Sequence, residues 1–175
     1  MKNTIIVLFC LLALLSSGGQ SNAATSESRA TATIMTAIST SKNTDTSTGG
    51  DLAFGVIVPS ESSGTVTIAP SQTSVRTREG GVQLVASTSG AASFNISGAA
   101  NTPYTVILPS TDTIKIFSGS NTMTVHSFSV SQPSGSAKIG TDGQSTFLVG
   151  GKLEVGEKQP EGSYTGTFEV GVAYQ

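Results

Sequence analysis

Apolar residues recur at every second position along much of this chain, the period of a strand whose side chains point alternately to opposite faces. The clearest run ends the sequence: Tyr164, Gly166, Phe168, Val170, Val172 and Tyr174 alternate with Thr165, Thr167, Glu169, Gly171 and Ala173. One face of such a strand is apolar or glycine, and the other is mostly small or polar. Toward the amino terminus, Ala30, Ala32, Ile34 and Ile38 share one face of an alternating segment, which predicts a half-buried strand over residues 30–38. Residues 39–51 are polar, end in Gly49-Gly50-Asp51, and read as a loop. Residues 52–58 read as a buried strand with a bulge at Gly55, stopped by Pro59. Shorter strands are expected over residues 65–69, 82–86, 93–97, 104–108, 113–117 and 122–130. Turn signals separate them at Gly80-Gly81, at Asn101-Thr102-Pro103, at Ser118-Gly119-Ser120-Asn121 and over residues 131–135. Asp142-Gly143 predicts a hairpin joining residues 137–139 to residues 146–149. No stretch sustains an apolar period of 3.6. The expected class is all-β, and this many short strands at such spacing argue for an antiparallel sandwich or barrel.

The amino terminus reads differently. Lys2 supplies a positive charge, residues 5–15 are an apolar run, and Ser21-Asn22-Ala23 places small residues where a signal peptidase cuts. The run is far shorter than the ~20 residues that span a bilayer, so an export signal is preferred to a membrane anchor. Cleavage between Ala23 and Ala24 is expected. A lipid-attachment role for Cys10 is disfavoured because it lies inside the apolar run, after Phe9 and before Leu11-Leu12. The mature chain then has 152 residues, no cysteine and no membrane span, with 8 basic and 11 acidic residues. Without disulfides it depends on its core, which a fold of about 150 residues can supply. The expected organisation is a signal peptide over 1–23, an amino-terminal strand and polar loop over 24–50, and a β-sandwich over 51–175.

Composition narrows the chemistry. Only 11% of the 175 residues are charged, while Ser and Thr number 51. A formal net charge of −2 offers no basic footprint for nucleic acid. One His and one Cys cannot build an all-nitrogen-and-sulfur zinc site, and no metal or cofactor is expected. Asn43, Asp45 and Ser47 have the spacing that opens a calcium loop, but Phe54 stands where the closing Glu is required. His126, the only imidazole, lies in an expected strand, and no Gly-x-Ser-x-Gly elbow surrounds any serine. A half-exposed sheet histidine is therefore preferred to a catalytic one. Asn95-Ile96-Ser97 fits a glycosylation sequon but lies in an expected strand. Arg76, Arg78 and Glu79 read as a solvated strand end or loop. No constellation of residues amounts to a catalytic site, and no enzyme activity is expected.

Two resemblances add to this. The carboxy-terminal strand looks like the end of chaperone–usher pilus subunits, in which a Gly fourteen residues from the end, alternating apolar residues and a penultimate Tyr form the strand that a periplasmic chaperone binds. Gly162, Tyr164, Phe168, Val170, Val172 and Tyr174 fall at the matching positions. Nearly the whole mature chain also resembles secreted bacterial proteins grouped as "domain of unknown function 4402", a family similar to spore coat protein U and archaic pilins. The matching stretches include Asp51-Leu52-Ala53-Phe54-Gly55, Gly64-Thr65-Val66-Thr67-Ile68, Tyr104-Thr105-Val106-Ile107-Leu108-Pro109 and Gly162-Ser163-Tyr164-Thr165-Gly166-Thr167-Phe168. Many pilins carry a disulfide, which this mature chain cannot form.

The resemblance implies an immunoglobulin-like β-sandwich that lacks one strand and acts, without catalysis, as a subunit of a pilus or related surface structure. It also implies self-assembly into a polymer, with a periplasmic chaperone and an outer-membrane usher as partners. The protein would pass through the periplasm to the cell surface or beyond. Ala30, Ala32, Ile34 and Ile38 would then mark the strand donated to a neighbour. The competing expectations are a monomeric secreted binding module and a small extracellular glycan hydrolase.

Overall fold

The computed structural model describes residue 29 and residues 31–73, 75–109, 114–132 and 137–175. The expected cleavage site and Ala30 lie outside these. Residues 34–175 form one compact unit, to which the following description refers. Its elements are β1 (Ser39–Lys42), β2 (Ile57–Ile68), β3 (Arg76–Leu84), β4 (Ala92–Ser97), β5 (Tyr104–Ile107), β6 (Ile114–Ser118), β7 (Asn121–Val130), β8 (Gln144–Val155) and β9 (Gly171–Tyr174). The chain is all-β, and every named strand pair is antiparallel.

β8 organises the molecule. Its odd positions Phe147, Val149, Leu153 and Val155 are buried, while Thr146 and Glu154 are exposed, as alternation requires. One edge of β8 changes partner midway: residues 144–149 pair with β4 and residues 151–155 pair with β2. The change falls at Gly150-Gly151, where a Cβ on Gly150 would collide with the carbonyl oxygen of Ile68. β7 runs along the other edge, and β6 pairs with β7. The β7–β8 register slips between His126 and Ser129, around Ser127 at φ 52°. The extra residue moves the inward face of β7 from Met123 and Val125 to Phe128 and Val130.

The β2–β3 hairpin folds back on itself. Arg76 opens β3 and Val85 follows its end, and a straight strand would hold them about 30 Å apart. Arg76 Nη2 nonetheless donates to the Val85 carbonyl at 2.7 Å. The bend falls where the β2–β3 register shifts between Pro59 and Gly64, opposite Gly80 at φ 73°. The hairpin thereby passes from one layer to the facing one, as a β-sandwich corner does. One core gathers Phe54, Val66, Ile68, Val82, Val125, Leu153 and Val155. The other gathers Ile96, Tyr104, Ile139, Phe147 and Val149, under a two-stranded sheet of β5 and β9. Tyr104 is fully buried, and its hydroxyl lies 3.0 Å from Gln132 Oε1 and 3.1 Å from Ser145 Oγ. A buried phenol needs such partners.

Several expected boundaries differ. The strand near the amino terminus is β1, in the tract expected to be a loop, while residues 31–38 join no ladder. β1 is a polar edge strand held by pairing with β4 and by Thr40 Oγ1 donating to the Asn95 carbonyl at 3.1 Å, so it carries no apolar signal. β2 runs through Pro59 because that residue sits beside the bend, where a ladder donor is dispensable. Residues 137–139 pair with 102–104 instead of with β8: Tyr104 N donates to Ala137 O, and Ile139 N to Thr102 O. The final ladder covers only Gly171–Tyr174, although Phe168 and Val170 keep the inward phase.

Candidate functional site

A groove of about 810 Å³ opens beside the first core. Its floor is apolar: Ile114 and Ile116 of β6, Met123 and Val125 of β7, and Leu153 and Val155 of β8. One wall is residues 51–57 with Pro59, and the other is residues 159–166 with Phe168. At about 810 Å³ it falls within the ~300–1,000 Å³ range of ligand-sized clefts.

Each wall is a backbone run with one edge engaged. In the first, Ala53 and Gly90 exchange two hydrogen bonds of 2.9 Å, and Val56 N donates to Ser87 Oγ at 2.8 Å. In the second, Thr165 and Phe117 exchange bonds of 2.8 and 3.0 Å. Among the described residues, the backbone of residues 166–170 joins no ladder. Such strand-like backbone, flanking an apolar trough, offers donors and acceptors to an added strand. A loop fixes the start of the second wall. Gln159 Nε2 donates to Thr122 O at 3.2 Å and to Tyr164 Oη at 2.9 Å, and the Tyr164 hydroxyl donates to Pro160 O at 2.7 Å. Lys158 N donates to Ser60 O at 2.8 Å.

The residues expected from the carboxy-terminal pattern divide between two places. Gly162, Tyr164 and Phe168 line the groove. Phe168 stands 5.1 Å from the Phe128 ring and 6.4 Å from that of Phe94. Val170, Val172 and Tyr174 pack on the second core instead. Of the amino-terminal positions, Ala32 and Ile34 are exposed, Ile34 to 95%, while Ile38 packs on the second core. The Tyr174 hydroxyl accepts from Ala99 N at 2.6 Å and donates to Thr36 O at 2.7 Å, holding Thr36 beside its own domain.

Reading the strands singly missed the groove floor, because in sequence Ile114, Ile116, Met123 and Val125 look like ordinary core positions. It also misjudged Arg76. That side chain lies on the inner face, opposite Ile68 in the register, and its guanidinium reaches the first wall. His126 lies outside the groove lining, with Nδ1 2.8 Å from Ser127 Oγ and Nε2 3.3 Å from Glu154 Oε1. Asp51 and Glu161, the carboxylates that line the groove, are both exposed, and Asp51 is 2.9 Å from Lys42 Nζ. Among the described residues no three His, Cys, Asp or Glu side chains are grouped as metal ligands.

Fold and groove together define an all-β, sandwich-like domain with an apolar groove beside one core. The family model described as "Domain of unknown function (DUF4402)" matches residues 44–174, and the chain belongs to that family. No curated protein and no solved structure matches it.

Proposed function

We propose that this protein is an exported, non-enzymatic structural subunit of a pilus-like or related surface structure, assembled by strand addition. Its groove would accept a β-strand from a second copy. One observation carries the reading: a groove of about 810 Å³ with an apolar floor lies between two backbone runs, and residues 166–170, which continue the second run past the groove, join no ladder. Apolar trough and unpaired backbone are both unfavourable in water, and an extended segment with alternating apolar side chains relieves both. The donor is the segment ahead of Thr36, where Ile34 and Met35 are 95% and 51% exposed. Burying a side chain such as Ile34 contributes roughly 1.5–3 kcal/mol. Contacts of this kind run head to tail and generate fibres when they do not close. The similarity to pilins and spore coat protein U belongs to this reading, as do capture by a periplasmic chaperone and passage through an outer-membrane usher. An export signal ahead of Ala24 belongs to the same reading, with intact mass of the exported protein as the check.

The test removes residues 24–38 and returns them as a free peptide. The full mature chain is expected to give a ladder on a non-boiled gel. The truncated chain should give none, and should bind the peptide as a monomer. Fibres formed by the truncated chain would overturn donation by this segment. A monomeric binding module is the second reading, favoured by the hold of Tyr174 on Thr36 and the packing of Ile38 on its own core. It requires a full-length chain that stays monomeric at high concentration.

A further inference from the structure

The first groove wall contains a break in its ladder. Between the Ala53–Gly90 bridge and the Ile57–Leu84 pair, residues 54–56 face residues 85–89, three against five, with Gly55 at φ 72°. Val85 N still donates to Val56 O at 3.2 Å, but the mismatch leaves the carbonyls of Phe54 and Val85 without ladder donors. Arg76 supplies donors. Its Nη1 donates to Phe54 O at 2.7 Å and to Val56 O at 3.3 Å, while Nη2 donates to Val85 O at 2.7 Å. Ser87 completes the junction, its Oγ accepting from Val56 N at 2.8 Å and donating to Val85 O at 3.1 Å. None of the ion pairs among the described residues includes Arg76. Its partners here are backbone carbonyls alone.

The geometry points to Arg76 as the positioning residue of the groove: its guanidinium replaces the missing ladder and locks the wall at residues 54–56 in place. The planar fork suits this task, since it reaches two backbone runs at once, which a lysine ammonium cannot do with the same geometry. Phe54, whose carbonyl it grips, lines the groove and belongs to the first core. A wall held in advance spares an incoming strand the cost of ordering it. The consequence for binding rests on the strand-accepting reading, whereas the clamp itself does not.

The test compares the full mature chain with Arg76→Gln and Arg76→Lys. Hydrogen exchange read segment by segment should speed up at least about tenfold at residues 53–57 and 85–90 in R76Q, with the strands of the second core unchanged. R76K should fall between R76Q and the native chain, and gives the same readout should R76Q fail to accumulate. A labelled peptide of residues 24–38 should bind the monomeric fraction of R76Q about tenfold more weakly than that of the native chain. Unchanged exchange at the wall would overturn the clamp, as would acceleration spread evenly over both cores, the mark of a merely stabilising side chain. Native-like peptide affinity beside a loosened wall would overturn its role in the groove. If the native chain itself captures no peptide, the strand-accepting reading falls, and the exchange pattern still decides the clamp.

Discussion

Phe168 offers the sharpest test of how the carboxy-terminal segment is packed. It is the point where that segment leaves the groove wall for the second core, and its ring lies 5.1 Å from Phe128 and 6.4 Å from Phe94. Burial of such a side chain contributes roughly 1.5–3 kcal/mol, and each aromatic pair adds about 0.5–1.5 kcal/mol. The site borders an open groove, so its surroundings can relax and the cavity left by truncation adds little. Phe168→Ala should therefore cost about 3 kcal/mol, toward the lower end of buried Phe-to-Ala changes. In a domain of this size that lowers the melting temperature by roughly 6–12 °C. Phe168→Leu retains most of the apolar area but loses the ring pairs, and should cost about 1 kcal/mol. Glu169→Gln, on the exposed side of the same segment, should stay within about 0.5 kcal/mol. Urea unfolding followed by tyrosine fluorescence is the assay, since the chain has three Tyr and no Trp. Equal midpoints for Phe168→Ala and Glu169→Gln would refute the face assignment. A Phe168→Leu cost equal to that of Phe168→Ala would refute the role of the aromatic pairs.

Three further outcomes follow from particular contacts. Tyr174→Phe should cost about 1–2 kcal/mol by leaving Ala99 N and Thr36 O without the phenol, and should raise protease cleavage near residue 36. Gly55→Ala should destabilise by about 1–3 kcal/mol, because a Cβ there sits at φ 72° and 2.7 Å from Arg76 Nη1, a loss read as a lower urea midpoint. Leu153→Ala, at a side chain 1% exposed on the groove floor, should cost about 2–5 kcal/mol, whereas Asp51→Asn, losing only an exposed ion pair with Lys42, should cost less than about 1 kcal/mol in the same assay.

Much of the fold was legible residue by residue because strand alternation is local. The inward faces of β8 and of the carboxy-terminal segment follow from odd and even positions in the sequence. Glycine was informative where it stood alone at a bulge, as Gly55 does. Inside a strand it misled: Gly80-Gly81 reads as a turn, yet both residues lie within β3, with Gly80 at φ 73° opposite Gly64.

What alternation cannot carry is adjacency. Each inward side chain reports that something covers it, without saying which strand does. β1 is held by hydrogen bonds to β4 and exposes most of its side chains, so no periodicity announces it. The fold-back of the β2–β3 hairpin brings Arg76 to carbonyls 20 and 22 positions away in sequence, turning a residue that reads as solvated into the brace of a groove wall. The groove arises in the same way. Its floor residues look like any core, with Val125, Leu153 and Val155 buried, and only the backbone runs brought to either side make a groove beside them. By itself the sequence determined the all-β class and the phase of the carboxy-terminal segment. The tertiary structure decided where the groove lies, because its lining depends on which strands become neighbours.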